Sequence, residues 1–155
     1  MAILVDVEEN GQPLSLRLDL LRLETYTDAT TEGWIKYDLN LFRGSDTIIK
    51  VSGTIHDNDL RFIEKAFTHA KKCRIEPLES DFQIAIESTE YDEIMITCMI
   101  NYSFSSTDKT YGDSAIGLRL VTTKKVARDF ADQLKAERVH LTDDAAFTDY
   151  ESKQL

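Results

Sequence analysis

The sequence predicts an α+β fold, in which a curved, largely antiparallel β-sheet or sandwich of about seven strands carries two α-helices. Three observations lead to this prediction. Apolar and polar residues alternate through most of the chain, turn sequences separate the alternating runs, and only two stretches have the three-to-four-residue apolar spacing of a helix. Because most predicted strands follow one another directly, we expect hairpins and not βαβ units. The 155 residues fit one domain, 1–155.

Four strands precede the first predicted helix. Residues 2–7 are apolar, and Asn10-Gly11 predicts a tight turn into a strand with leucine at every second position of 14–20. The alternation shifts by one position at Leu20-Leu21, which predicts a bulge or a bend. Two further alternating runs, 33–42 and 46–55, predict a second antiparallel hairpin.

The first predicted helix covers about 57–74. Its apolar stripe is formed by Leu60, Ile63, Phe67 and Ala70. Acidic and amide side chains accept hydrogen bonds from the unpaired N–H groups of a first helical turn, so capping accounts for Asp57, Asn58 and Asp59. The basic residues Lys71, Lys72 and Arg74 suit the negative end of the helix dipole.

Three strands and a second helix make up the rest of the predicted fold. The strands alternate over 81–88, 93–104 and 114–121, and the helix covers about 123–137 with Thr122 or Thr123 as its cap. Residues 140–155 form an acidic C-terminal tail without clear periodicity. We expect this tail to be either mobile or docked by its aromatic residues, Phe147 and Tyr150.

Composition limits the classes of partner and the compartment. The formal net charge of −10 disfavours binding to nucleic acid or to an anionic membrane, since both require cationic side chains. We find no run of about 20 apolar residues that would cross a bilayer, and no signal peptide. Cys73 and Cys98 lack metal-type spacing, and we expect two reduced, buried thiols or a single disulfide. A cytoplasmic protein is the favoured interpretation.

One stretch resembles a catalytic site. His56 and Asp57, with Asp59 nearby, resemble the ligands of a metal-dependent hydrolase, but the start of a capped helix is the favoured interpretation of this stretch. The sequence contains no G-x-S-x-G nucleophile motif and no glycine-rich phosphate loop. We therefore predict no enzymatic activity, no catalytic residue, no metal site and no cofactor. A metal-dependent hydrolase and a small-ligand-binding or structural domain remain as alternatives.

The distribution of charge suggests a binding surface. No Lys or Arg occurs from Ile75 through Asp108, and four of the acids in this segment crowd a predicted turn around Tyr91: Glu87, Glu90, Asp92 and Glu93. These residues, together with Trp34 on another strand, are the predicted contact residues for a basic protein partner. The alternative is a solvated turn whose charges prevent edge-to-edge aggregation.

Several segments together resemble the WapI-type immunity proteins of bacterial polymorphic-toxin systems. The similarity covers roughly residues 33–134 and consists of Gly33-Trp34 before YDLNL, Asp59-Leu60 before Phe62-Ile63, DFQIAI, EIMITCMI and GLRLVTTKKVARDFADQL. The resemblance implies a cytoplasmic protein that neutralises a toxin domain by binding it, without catalysis. Such toxins are frequently nucleases, whose basic surfaces would suit an acidic binder. The resemblance supplies no catalytic residue.

Overall fold

Within the residues that the structure describes, the protein has an α+β fold with eight antiparallel strands in two four-stranded sheets and two helices. The count is eight strands where the sequence predicted about seven. The computed structural model describes residues 1–7, 11–24, 33–69, 72–77, 81–89, 91–101 and 115–152.

Each sheet is a meander in which every strand pairs with its neighbour along the chain. The first sheet has the order β1-β2-β3-β4 and consists of Ala2–Val5, Leu14–Leu23, Trp34–Arg43 and Asp46–His56. The second has the order β5-β6-β7-β8 and consists of Lys72–Ile75, Phe82–Ser88, Glu93–Asn101 and Ala115–Thr123. Helix α1, Asp57–His69, follows the first sheet, and helix α2, Lys124–Ser152, follows the second.

The two halves repeat one ββββα arrangement, although the sequence shows no repeat. In the first half Trp34 pairs with His56, and the Asp57 N–H donates to the Gly33 carbonyl at 2.8 Å. In the second half Glu93 pairs with Thr123, and the Lys124 N–H donates to the Asp92 carbonyl at 3.0 Å. Each helix is thus attached at its first residue to the start of the third strand of its own sheet.

The first helix is shorter than the sequence predicted. It ends at His69 and not near 74, and Lys72–Ile75 forms the edge strand β5. The residues of β5 pair with Ile84–Glu87 of β6, and Ile75 is buried while Arg74 is exposed. This segment is a strand because its backbone pairs with a strand about ten residues further along the chain. The sequence prediction had included it in the helix because of its basic residues.

The second helix is longer than predicted, because it continues to Ser152 and not to about 137. Ala127, Phe130 and Leu134 form its buried stripe, and the next position of the stripe is Arg138, followed by the partly buried Leu141. A charged residue on the core-facing side interrupts the apolar pattern from which helices are recognised. Most of the predicted acidic tail therefore belongs to α2.

Two details of the sequence prediction are confirmed. The register of β2 against β3 shifts between Leu20 and Arg22, which is the predicted irregularity. At this irregularity the Leu20 N–H donates to Glu137 Oε2 of α2 at 3.1 Å. The irregular part of β2 is therefore hydrogen-bonded to the second helix. Thr123 caps α2, since its Oγ1 accepts a hydrogen bond from the Val126 N–H at 3.3 Å. The predicted turn residue Asn10 lies outside the described residues, and Gly11 has φ of 121°.

One apolar core joins both sheets and both helices. The Tyr37 ring on β3 contacts Phe82 on β6 edge-on, with 5.4 Å between the ring centroids. Phe67 of α1 meets Phe130 of α2 at 4.8 Å. Gly53 on β4 makes room for Tyr37, because a Cβ at Gly53 would lie 2.9 Å from the tyrosine hydroxyl.

A buried ionic clamp fastens α1 to α2. The Arg138 side chain is 5% exposed, and it donates from Nε and Nη2 to the two carboxylate oxygens of Glu64 at 2.6 and 3.1 Å. Its Nη1 donates to Asp57 Oδ1 at 3.1 Å. Hydrogen bonding to Glu64 and the charges of both carboxylates outweigh burial and raise the pKa of Arg138.

Replacing Arg138 by Met should lower the free energy of unfolding by about 3 kcal/mol, because the carboxylates of Glu64 and Asp57 lose the charge that compensates their partial burial. Urea unfolding would measure the loss. The matched control is Arg61→Met, which removes the other partner of Asp57 from a site that is 59% exposed and should cost less than about 1 kcal/mol. Equal losses in the two variants would contradict the role given to the clamp.

Candidate protein-binding surface

The hairpin tip between β6 and β7 is held closed by its own backbone. The Thr89 N–H and the Thr89 hydroxyl both donate to the Glu93 carbonyl oxygen, each at 3.1 Å. These two bonds fix the end of β6 against the beginning of β7. Glu90, one of the predicted contact residues, lies outside the described residues.

Helix α2 holds the other side of the tip. Besides the bond from its N–H to the Asp92 carbonyl, Lys124 donates from Nζ to the Tyr91 carbonyl at 3.3 Å. The backbone at Tyr91 and Asp92 is therefore anchored to the first residue of a long helix. A tip that is fixed on two sides presents its side chains with little freedom left to lose on binding.

The side chains at the tip point into solvent. Tyr91 is 75% exposed and is the most exposed large hydrophobic side chain in the described part of the protein. Asp92 is exposed beside it, and Glu93 is half-buried. The structure therefore brings together three of the predicted contact residues, Tyr91, Asp92 and Glu93, around one exposed aromatic ring.

Glu87 lies next to a lysine, a neighbour that the distribution of charge along the sequence did not predict. On the outer face of the second sheet it pairs with Lys72 of β5, whose Nζ lies 2.9 Å from Glu87 Oε1. Hydrogen bonding to Lys72, together with the charges of Lys72 and Arg119, lowers the pKa of Glu87. The anionic patch is therefore smaller than the Lys/Arg-free sequence segment suggests, and it centres on the tip.

Trp34 does not share a surface with the tip. Its half-buried ring packs edge-on against His56, with 5.4 Å between the centroids, beside the first turn of α1. Arg138 binds this first turn through Asp57, whereas the tip is bound by Lys124 at the start of α2. Fourteen residues of helix, about 21 Å, separate Lys124 from Arg138. Trp34 and the hairpin tip therefore belong to two separate surfaces of the protein.

The His56-Asp57 stretch is the start of a helix, but its cap is not the one predicted. The ring nitrogen Nδ1 of His56 accepts the Asn58 N–H at 3.1 Å, so His56 supplies the cap and not an Asp or Asn side chain. The Asp57 carboxylate is bonded to Arg61 at 2.7 Å and to Arg138. Within the described residues no three His, Cys, Asp or Glu side chains are grouped as a metal ion would need. A metal-dependent hydrolase using His56, Asp57 and Asp59 gains no added support from this geometry.

Both cysteines are free thiols. Cys98 is buried, and burial raises its pKa to about 12, so this thiol stays protonated at neutral pH. Cys73 is only half-buried, where the sequence predicted a buried residue, and the same cause raises its pKa. The disulfide alternative does not apply to this structure.

Neither the known protein families nor the curated proteins provide a relative. No protein-family model matches the chain, and no curated protein shows significant similarity to it. The resemblance to WapI-type immunity proteins accordingly stays an expectation. In the described parts of the chain, neither helix has an apolar stretch long enough to cross a bilayer.

Replacing Lys72 by Met should raise the pKa of Glu87 towards 4.5, the ordinary value for a glutamate. Since the folded-state pKa is lowered, the ion pair contributes to stability above that ordinary value and its contribution is lost as the pH falls through the lowered pKa. An NMR titration that follows the Glu87 carboxyl carbon would measure the change. The control is Lys125→Met, which removes the same charge from an exposed helical site and should leave this titration unchanged. A Glu87 pKa that is the same with and without Lys72 would show that the pair does not form in solution.

Proposed function

We propose that this protein is an immunity-type binder, which neutralises a basic toxin domain by direct contact and without catalysis. The observation that carries the proposal is the hairpin tip, where an exposed tyrosine stands among acids on a backbone fixed by both β7 and α2. The resemblance to WapI-type proteins supplies the class of partner. A nuclease toxin domain, with its basic surface, is the partner that the charge suits best.

Tyr91 supports this proposal because exposed aromatic side chains commonly dominate the energy of protein interfaces. A tyrosine buries a large apolar ring on binding, while its hydroxyl still finds a hydrogen-bond partner. The side chain has few rotatable bonds, and the backbone beneath it is already ordered. Little conformational entropy is therefore lost when a partner covers this ring.

The acids of the tip support a basic partner, with Lys124 at the Tyr91 carbonyl offsetting part of their charge. Asp92 and Glu93 lie beside the ring, and the whole chain carries a net charge of −10. Complementary charge accelerates association and makes the rate depend on salt, while the buried anchor sets the rate of dissociation. The same charge argues against a phosphate backbone as the ligand.

Replacing Tyr91 by Ala should weaken binding to the toxin domain by about 30-fold or more, mainly through faster dissociation, because the ring is the anchor. The proposal predicts that a neighbouring gene encodes a large secreted protein with a variable C-terminal domain. That domain, in a catalytically inactive form, is the probe, and binding is followed by surface plasmon resonance. Tyr91→Phe keeps the ring and should retain most of the affinity. Full binding by the alanine variant would remove the tip from the interface. Failure of the unmodified protein to bind this domain, or to restore growth to cells that express the active form, would overturn the proposed function.

Reversing the acids of the tip, with Glu90→Lys, Asp92→Lys and Glu93→Lys combined, should slow association by about tenfold at low salt and flatten its dependence on ionic strength. Dissociation should change less than association. The control reverses three exposed acids elsewhere, Asp46, Asp129 and Asp132, and so carries the same net charge. An equal loss in the control would mean that only the overall charge matters, and not the tip.

A further inference from the structure

The outer face of the second sheet carries polar and charged side chains on β5 and β6, among them Lys72, Arg74 and Glu87, and is more apolar on the neighbouring strands β7 and β8. The inner face is formed by the buried residues of β6, β7 and β8, so the intervening residues point outward. The outward positions in the middle of β7 and of the edge strand β8 are Met95, Thr97, Met99, Gly117, Arg119 and Val121. Three of these, Met99, Gly117 and Arg119, are exposed, and the other three are half-buried.

The residue types on this face are those that protein interfaces favour. Methionine and arginine are enriched in interfaces relative to the rest of a protein surface, and Lys, Glu and Asp are depleted at their centres. Here the charged pair Lys72–Glu87 lies at the rim, on the β5 side. Gly117 adds no side chain, and Met99 lies over it, 3.6 Å from where a Cβ would be. The centre of the face is thus flat, and a flexible methionine covers it.

Arg119 is the charged residue in the middle of β8, and its charge contributes to the lowered pKa of Glu87 on the same face. It is exposed and has no ion-pair partner among the described residues, although the protein as a whole is strongly acidic. Directly across the sheet it faces Thr97. An arginine surrounded by Met, Thr, Gly and Val gives a planar donor group at a place from which water is easily displaced. The group it would best bind is a carboxylate, which matches its paired donors.

This face is continuous with the hairpin tip. Glu93 begins the same strand, β7, whose outward residues Met95, Thr97 and Met99 follow along the face. Four residues of strand, about 14 Å, separate Glu93 at the tip from Thr97 opposite Arg119. A protein bound to Tyr91 therefore reaches Arg119 without crossing another element of the fold.

The size of a stable interface also requires more than the tip. A standard interface covers about 800 Å² of each partner, and one turn of a hairpin supplies only a small part of that area. Three strand spacings of about 4.8 Å, multiplied by a strand length of about 23 Å, add roughly 300 Å² of flat surface. The outer face supplies this additional area next to the tip.

We propose that the protein bound at the hairpin tip extends over the outer face of the second sheet and places a carboxylate against Arg119. This inference rests on the proposed function and specifies its partner further. The partner carries basic side chains and a pocket for Tyr91. About 14 Å along β7 from its contact with Glu93, it carries an acidic group set in an apolar surround. A uniformly basic partner does not fit this pattern. Arg119 then selects against basic proteins that lack the acidic group.

The test compares Arg119→Glu with Arg128→Glu in binding to the inactive neighbouring toxin domain. Both arginines are exposed, neither has an ion-pair partner among the described residues, and both substitutions change the net charge equally. Arg119→Glu should weaken binding about tenfold or more, and Arg128→Glu less than about twofold. Met99→Ser should weaken binding severalfold by removing apolar contact. Melting temperatures of all three variants should stay close to that of the unmodified protein, because these side chains are exposed.

Each other result decides against the inference. If Tyr91→Ala loses binding while Arg119→Glu and Met99→Ser retain it, the partner touches only the tip, and the proposed function stands without this extension. Equal weakening by Arg128→Glu would indicate a general effect of charge. Tighter binding by Arg119→Glu would place a cation of the partner at this position and overturn the assigned carboxylate. If the unmodified protein does not bind the toxin domain, both the inference and the proposed function fail.

Discussion

The clamp at Arg138 is the constraint on which the arrangement of the two halves depends. Each sheet has one apolar face, and apolar packing between faces tolerates small shifts of one layer over another. A guanidinium that donates to Glu64 and Asp57 at defined distances does not tolerate such shifts. The clamp fixes the position of α2 along the axis of α1, and thereby the position of each sheet relative to the other. The cost of removing Arg138 arises because two carboxylates are left without a compensating charge, and it differs from the net contribution of the intact clamp to stability.

The same attachment of helix to hairpin occurs twice and produces two different surfaces. In the first half the third strand begins with Trp34, whose ring packs against the capping His56. Gly33 before it has φ of 91°, a conformation that suits glycine. In the second half the equivalent positions carry Asp92 and Glu93, and Tyr91 projects into solvent. In the first half the aromatic side chains at this attachment pack against each other, whereas in the second half an aromatic ring is exposed to solvent.

Patterns of neighbouring residues allowed much of the fold to be predicted. Alternation identified the buried face of six strands, the slip at Leu20-Leu21 identified the irregularity in β2, and Thr123 was one of the two predicted caps of α2. The two errors in the extent of the elements share one cause. The strand β5 and the second half of α2 are decided by partners distant in sequence, which are β6 for the first and Glu64 and Asp57 for the second. Local propensity carries no information about such partners.

The sequence by itself determined which residues alternate, where turns fall and that Tyr91 stands among acids, because these properties depend on residues close together in the chain. Only the tertiary structure decided the electrostatic surface. Lys72 and Glu87 are fifteen residues apart, yet strand pairing brings their charges to 2.9 Å, while Arg119 on the same face forms no ion pair with any described residue. Coulombic energy depends on distance in space, so a segment free of Lys and Arg is not a surface free of them.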